Sequence, residues 1–331
     1  MGQRTAVATA VRIAAGVLGA LMIAAAFPPY HVAALAPVGV ALSTAAWWRA
    51  RRWPAVASGV AAGIAFNLVL LSWISVLGDD AWLALSVVMG LWWILMALGV
   101  AAITWWRWWP VGVAAIWVLQ EALRGRLPWG GFPWGRLAFA QTDSTFTAWA
   151  SLFGAAAVTA VTALVGALLL LTVRALKTRD WRSAGAGVLG AVAVALAGAL
   201  IPLPIAGTGE PASSTLAVVQ GGVPRVGLDA MAQRRAVVNN HVNATLALAD
   251  DVAAGIRPAP QAVIWPENSS DVDPYVDAMA IAGINKAATA IGVPILVGAV
   301  LAAPAEGLWN VGIVWNPGVG PVDYYVKQHP V

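Results

Sequence analysis

The sequence predicts a multispan α-helical membrane domain followed by a smaller α/β domain. Of the 331 residues, 60% are hydrophobic and only 10% are charged, whereas a typical soluble domain has about 25% charged residues. So little charge cannot cover a water-soluble globule of this length. As a whole, the chain is therefore not a soluble dehydrogenase, a kinase or a nucleic-acid-binding protein.

Charge is divided unevenly along the chain. Residues 1–205 hold thirteen Arg and Lys against five Asp and Glu, and residues 206–331 hold six against ten. A basic excess in an apolar region is typical of cytoplasmic loops that face anionic lipid, and it does not indicate a nucleic-acid partner. The 331 residues contain no cysteine, so neither a disulfide nor a Cys-ligated metal site is available among them.

Seven apolar runs predict a seven-helix transmembrane domain over residues 1–205. A helix needs about 20 apolar residues to cross a bilayer, and the second and fifth runs are short for this. The runs cover residues 7–27, 32–48, 55–77, 81–104, 108–123, 148–173 and 184–205.

Loop charges predict the orientation of these helices. With Arg4 in the cytoplasm, the inner loops carry nine basic residues and the outer loops three. Seven crossings then place everything after about residue 206 outside the cytoplasm.

One loop departs from this charge trend. Residues 124–136 include four Gly and two Pro, which prevent a regular helix, together with Trp129, Phe132 and Trp134. One interpretation is an interfacial loop anchored by its aromatic side chains. The other is a lipid-contacting part of an active site, with an arginine near a phosphate.

Two polar residues lie inside apolar runs. Glu121 is three residues from Arg124, which predicts a structural carboxylate paired with that arginine, although a carboxylate in a membrane is also a functional candidate. Asn67 is expected to form a hydrogen bond with another helix.

After a Gly, Pro and Ser-rich linker at 206–214, residues 215–331 alternate between strand-like and helix-like patterns. This alternation predicts an α/β layered domain. The predicted strands are 215–220, 262–265, 294–301, 308–316 and 324–327, and the predicted helices are 228–254 and 274–291.

Two charged residues follow predicted strands, where α/β folds place their chemistry. Glu267 follows Ala262-Val-Ile-Trp-Pro266, and Lys327 follows Asp323-Tyr-Tyr-Val326. Spacing alone is also consistent with two ordinary surface charges; the motifs described next lead us to expect that the two side chains approach one another. Ser269 and Ser270, beside Glu267, lack the His and Asp pattern that would activate a serine nucleophile.

Several of these segments resemble motifs of known protein families. Trp265-Pro-Glu-Asn268 resembles the glutamate motif of the nitrilase (carbon-nitrogen hydrolase) superfamily, and Tyr324-Tyr-Val-Lys-Gln-His329 resembles its lysine motif. Gly131-Phe-Pro-Trp134 with Gln141, and Gln220-Gly-Gly-Val-Pro224, are similar to segments of the apolipoprotein N-acyltransferase family. The resemblance implies a bacterial plasma-membrane protein whose residues 215–331 form a nitrilase-like αββα sandwich, incomplete at its C-terminal end.

The family uses a Glu-Lys-Cys triad. By resemblance, Glu267 is the general base and Lys327 the cation that stabilises an oxyanion, while the nucleophilic cysteine has no counterpart here. We therefore expect a C-terminally truncated chain that is inactive by itself. Phe132 and Trp134 are the implied substrate-binding residues.

The implied reaction moves a fatty acyl group from a phospholipid, through a cysteine thioester, to the N-terminal amine of a diacylglyceryl-cysteine apolipoprotein. It requires no metal and no organic cofactor. Two alternatives remain. In the first, the domain resembles a non-catalytic membrane anchor or partner of a polyprenol-phosphate mannose synthase. A transporter or channel would need charged pathways or repeated halves, which the sequence does not display.

Overall fold

The computed structural model describes residues 2–128, 130–201, 213–222, 235–303 and 307–328. The chain divides into two compact units, Met1–Ile205 and Ala206–Val331. The first is helical, and the second combines a five-stranded sheet with helices. Trp129, most of the predicted linker, the predicted start of a helix at 228 and His329 lie outside the described residues.

Each apolar run of the first unit forms a helix, as predicted. The second and fifth helices are the short ones, with 13 and 16 residues. The helices are α1 (Gly2–Ala24), α2 (Leu35–Trp47), α3 (Arg52–Leu70), α4 (Asp79–Ile103), α5 (Trp109–Arg124), α6 (Ala150–Lys177) and α7 (Trp181–Leu200).

Among the residues that the structure describes, five stretches of helix are long and apolar enough to cross a bilayer. The prediction of a multi-pass membrane protein is thereby confirmed. The five stretches are Ala6–Ala24, Arg52–Leu70, Asp79–Ile103, Thr145–Lys177 and Trp181–Leu200.

An aromatic cluster and close backbone contacts hold the helices together. The Trp93 ring of α4 lies 5.1 Å from Phe66, 6.1 Å from Trp47 and 5.7 Å from Trp117, measured between ring centroids. Gly63 lets α3 approach α4 closely, because a Cβ at this position would lie 2.8 Å from the Trp93 Cβ. Small residues at such crossings are typical of membrane helices.

The prediction for Asn67 is wrong. Its side-chain amide donates to the backbone carbonyl of Gly63, four residues earlier in its own helix, at 2.8 Å. A side chain buried in an apolar bundle needs an acceptor, and the preceding turn supplies one without a partner helix.

The second unit shows the predicted alternation of strands and helices. Its elements are β1 (Leu216–Val218), α8 (Ala236–Ala253), β2 (Ala262–Ile264), α9 (Ala278–Ile291), β3 (Ile295–Ala302), β4 (Leu308–Asn316) and β5 (Gly320–Val326).

Strand direction positions the two candidate residues. The strand order is β1-β2-β3-β4-β5. The first three strands run parallel, and β4 and β5 each pair antiparallel with the strand before. Consequently β5 points in the same direction as β2, and both strands end at the same edge of the sheet. The buried core of this unit is formed by residues of the strands and of α8 and α9. Its members include Val263, Ile284, Ile295, Val297, Ile313 and Trp315.

Candidate functional site

The chain leaves the sheet after β2, and Glu267 lies in the turn that follows. Hydrogen bonds hold the residues on either side of Glu267. Before it, the buried Trp265 donates its backbone N–H to Leu296 and its indole N–H to Thr245, both at 2.9 Å. After it, the Ser269 hydroxyl donates to the Gly298 carbonyl at 2.9 Å and accepts from the Gly298 N–H at 3.0 Å. The turn that carries Glu267 is therefore fastened to β3 and α8.

Two backbone features shape this turn. Asn268 has φ of 55°, which a non-glycine residue rarely adopts and which turns the chain sharply after Glu267. At Gly298, an added Cβ would lie 2.9 Å from the Glu267 Cα, so only glycine allows β3 to approach the turn this closely.

Lys327 reaches the same place from the end of β5. Its backbone N–H donates to the Asn310 carbonyl on β4 at 2.8 Å, which continues the β4–β5 pairing by one residue. Its ammonium Nζ lies 2.9 Å from the Glu267 Oε1. The structure thus brings together the two residues that the sequence predicted to meet, and their catalytic roles remain predictions.

Asn310 completes the contact, and sequence reasoning missed it. Its side-chain amide also donates to the Glu267 Oε1. The available signal was an amide in the middle of the apolar strand Leu308–Asn316, where a polar side chain requires a partner.

The two oxygens of Glu267 differ in their surroundings. Lys327 and Asn310 both donate to Oε1, while Oε2 accepts no hydrogen bond from any residue that the structure describes. The hydrogen bond from Lys327 lowers the pKa of Glu267 below the ordinary value of a glutamate; partial burial opposes this, and Asn310 adds to the lowering. The carboxylate is therefore ionised at neutral pH and has one oxygen open to an incoming proton.

Ser269 and Ser270 have structural roles. Both are buried; the Ser269 hydroxyl bonds Gly298, and the Ser270 hydroxyl donates to the Val272 carbonyl at 2.7 Å. Neither hydroxyl contacts a base, which agrees with the prediction that they are not nucleophiles.

Phe132 and Trp134 belong to the helical unit, in the loop after α5. Arg124 organises this loop, because its guanidinium donates to the carbonyls of Phe132, Trp134 and Gly135. The Trp134 side chain is about half exposed, and its ring lies 5.8 Å from that of Trp73.

The Arg124 contacts correct the prediction that it pairs with Glu121. The buried Glu121 carboxylate instead accepts from the Leu137 N–H at 2.8 Å and from the Thr159 hydroxyl at 2.7 Å. Glu121 thereby ties the end of the loop to α6, as its structural interpretation predicted, although with other partners.

Beside Trp134 lies a cavity of about 350 Å³. Its walls are apolar apart from the backbone and the Trp indole edges, which suits a hydrocarbon chain. The lining residues are Phe27, Pro28, Leu70, Leu71, Trp73, Trp134, Gly135 and Phe139.

Parts of the chain are similar to known proteins. The family described as the apolipoprotein N-acyltransferase N-terminal domain matches residues 19–168. A protein of Mycolicibacterium smegmatis named apolipoprotein N-acyltransferase is 39% identical over 293 residues, which cover 82% of this chain and 49% of that relative. The chain thus spans about half the length of the curated relative that it matches. The matched helical region thus belongs to the N-terminal domain family of apolipoprotein N-acyltransferases, and most of the chain is similar to the named relative.

Proposed function

We propose that the chain carries the acid–base half of a thiol acyltransferase site on a nitrilase-like α/β unit. The observation that carries this proposal is the Glu267–Lys327 contact of 2.9 Å, in which Oε2 of the glutamate is left open. A poised carboxylate beside an ammonium suits a reaction in which a thiol loses its proton and an oxyanion then forms. The nucleophilic cysteine would come from outside these 331 residues.

In the first step, Oε2 of Glu267 takes the proton from the thiol, and the thiolate attacks the ester carbonyl of a phospholipid. Lys327 stabilises the oxyanion of the tetrahedral intermediate. The intermediate collapses to a thioester, the carbon–oxygen bond breaks, and Glu267 returns its proton to the departing lysophospholipid alkoxide. Glu267 is again ionised at the end of this step.

In the second step, the N-terminal amine of a diacylglyceryl-cysteine apolipoprotein attacks the thioester. Glu267 accepts a proton from the attacking nitrogen and passes it to the departing thiolate. The products are an amide on the apolipoprotein and the regenerated thiol. The reaction balances without a metal or an organic cofactor.

The helical unit would bind the lipid substrates. The apolar cavity next to Trp134 has the size and lining for part of an acyl chain, and the Phe132 ring lies 6.3 Å from the Trp134 ring that lines it. Arg126 and Arg136 line a separate small pocket and supply positive charge for a headgroup phosphate.

We place residues 206–331 on the outer face of a bacterial plasma membrane, since loop charge supports that orientation. The chain has no cysteine, so the exposed Ser213 can be replaced to give a single labelling site. In S213C, a membrane-impermeant maleimide should react in intact cells. Reaction only after lysis would contradict this orientation.

The test of the proposed activity is E267Q, introduced into the gene at its native locus. We expect N-acylation of mature lipoproteins, measured by mass spectrometry of their N-terminal peptides, to fall about 10²- to 10⁴-fold, the usual contribution of general acid–base catalysis. D251N is the matched control, because Asp251 forms another partly exposed ion pair in the same unit, with Arg257 at 3.1 Å. Equal N-acylation in both variants at equal protein levels would contradict the proposal.

The anchor of a mannose synthase remains a prediction from the sequence alone. Among the described residues, no observation favours that function over acyl transfer.

A further inference from the structure

Two arginines flank one tryptophan at the end of the helical unit where α2 and α6 finish. The Arg174 guanidinium carbon lies 3.8 Å from the centroid of the Trp48 ring, and that of Arg49 lies 5.6 Å from the same centroid. The two guanidinium carbons are therefore at most the sum of these distances, 9.4 Å, apart. We call this group the Trp48 cluster; it consists of Trp48, Arg49 and Arg174.

The Trp48 cluster is separate from the loop that holds Phe132 and Trp134. That loop precedes α6, which begins at Ala150, whereas Arg174 lies in its last turn. At 1.5 Å per residue, roughly 35 Å of helix separates the two places. A ligand at the cluster would thus be distinct from the acyl chain proposed for the cavity beside Trp134.

Neither arginine of the cluster has a carboxylate partner among the residues that the structure describes. Arg49 uses its Nε to donate to the Thr104 carbonyl at 3.4 Å, and its ring contact with Trp105, 4.2 Å from the centroid, fixes the guanidinium plane. Among the described residues, the terminal nitrogens of Arg49 form no hydrogen bond with an oxygen.

The nearest acidic side chain along the sequence is already engaged. Asp180 caps α7 by accepting from the Ser183 N–H at 3.1 Å. The charges of Arg49 and Arg174 repel each other, and Asp180, which lines the cleft beside Arg174, forms no ion pair with either arginine among the described residues. Stacking on Trp48 fixes the position of each cation but does not neutralise it.

A cleft of about 300 Å³ adjoins the cluster between the end of α6 and the start of α7. Leu171 and Ala175 supply an apolar wall, while Arg174 and Lys177 supply positive charge at its mouth. An amphiphile with an anionic head and a hydrocarbon tail matches this combination of walls.

We propose that the Trp48 cluster binds the phosphate of an anionic phospholipid headgroup, with Arg49 and Arg174 donating to it from two sides and the acyl chain lying against Leu171. A phosphate oxygen accepts charge-assisted hydrogen bonds of about 2.8 Å, so one phosphate can span two guanidiniums at this separation. Binding would neutralise the repulsion and fasten α2 to α6. The inference is independent of the acyl-transfer chemistry.

The experiment measures lipid retention by the purified chain in detergent, with native mass spectrometry as the readout. The probes are phosphatidylglycerol, zwitterionic phosphatidylcholine and inorganic phosphate. We expect R49Q and R174Q each to weaken phosphatidylglycerol binding about tenfold, as expected for one lost charge-assisted contact. R51Q is the matched control, because Arg51 is exposed at the same end of the unit and should leave binding unchanged.

Two results would overturn the proposal. One is phosphatidylglycerol retention by R174Q equal to that of R51Q. The other is displacement of phosphatidylglycerol by an equal concentration of inorganic phosphate, which would identify a free-anion site. Should R174Q fail to fold, R174K keeps the charge but loses the planar stack, and it should still bind phosphatidylglycerol more weakly than R51Q does.

Discussion

The loop after α5 and the turn after β2 each depend on one glutamate, and the two carboxylates have opposite surroundings. Glu121 is 4% exposed, and each of its oxygens accepts a hydrogen bond, from Leu137 and from Thr159. The Glu267 side chain is 55% exposed; both of its neighbours donate to Oε1, and Oε2 has no partner among the described residues.

This is the difference expected between a carboxylate with a structural role and one that is proposed to transfer protons. A buried acceptor with every bond filled cannot take up a proton without losing those bonds, and its removal leaves buried donors unpaired. An ionised carboxylate with one oxygen held and the other open is oriented yet available. Position at the end of an element is shared by both residues, so position alone does not distinguish the two roles.

On the α/β side of this comparison, the largest effect after that of E267Q is expected for K327M. Removing the ammonium takes away the proposed oxyanion stabiliser, so N-acylation should fall about 10²- to 10³-fold, while stability changes little because the ion pair is partly exposed. Mass spectrometry of lipoprotein N-termini measures the loss. K286M, an exposed lysine on α9, is the control, and a similar loss in both variants would remove the special role of Lys327.

On the helical side, E121Q should act on stability. The new amide keeps one acceptor oxygen and has an NH2 donor in place of the other, so the hydrogen bond from either Leu137 or Thr159 loses its acceptor and the free energy of unfolding should fall by about 1–3 kcal/mol. Thermal unfolding of the purified chain in detergent measures this, with T159V, which removes only one partner, giving a smaller loss. Unchanged stability in E121Q would show that Glu121 does not hold the loop.

The smallest expected effect is on the pH dependence of N-acylation. Asn310 and Lys327 both lower the pKa of Glu267, with Lys327 the larger cause, so N310A should raise that pKa and K327M should raise it further. Because the base acts when deprotonated, the acidic limb of the N-acylation profile should move to higher pH in the same order. N316A is the control on the same strand, and an unmoved limb in N310A would contradict the assigned contact.

The lowered pKa of Glu267 also determines how its contribution to stability depends on pH. A carboxyl group whose pKa is lowered by folding contributes stability above its unfolded pKa and loses it as pH falls through the folded value. The Glu267 contribution is small because its side chain is more than half exposed.

The sequence predicted the helices and strands well, since length and period of the apolar pattern determine them. It also predicted the meeting of Glu267 and Lys327, from their positions after strands and the resemblance of their motifs; the structure supplies the physical reason, since β2 and β5 point the same way. Asn310 was missed, as an amide within a strand carries no motif and its partner is distant in sequence.

Two predictions about polar side chains were wrong in opposite ways. Arg124 stands three residues after Glu121 but donates to the carbonyls of the following loop, which sequence spacing cannot reveal. Asn67 was expected to bond another helix, but its acceptor is the carbonyl of Gly63, four residues earlier in its own helix. Sequence spacing could not reveal the long-range bond from Thr159 to Glu121 either.

The most direct test of the contrast between the two glutamates measures E121Q and E267Q side by side, in thermal unfolding and in lipoprotein N-acylation normalised to the amount of protein. We predict a crossed result: E121Q unfolds at a lower temperature and retains acylation per folded molecule, whereas E267Q unfolds like the wild type and loses acylation. Destabilisation of E267Q with normal acylation per folded molecule would contradict the assignment of Glu267 as the proton carrier.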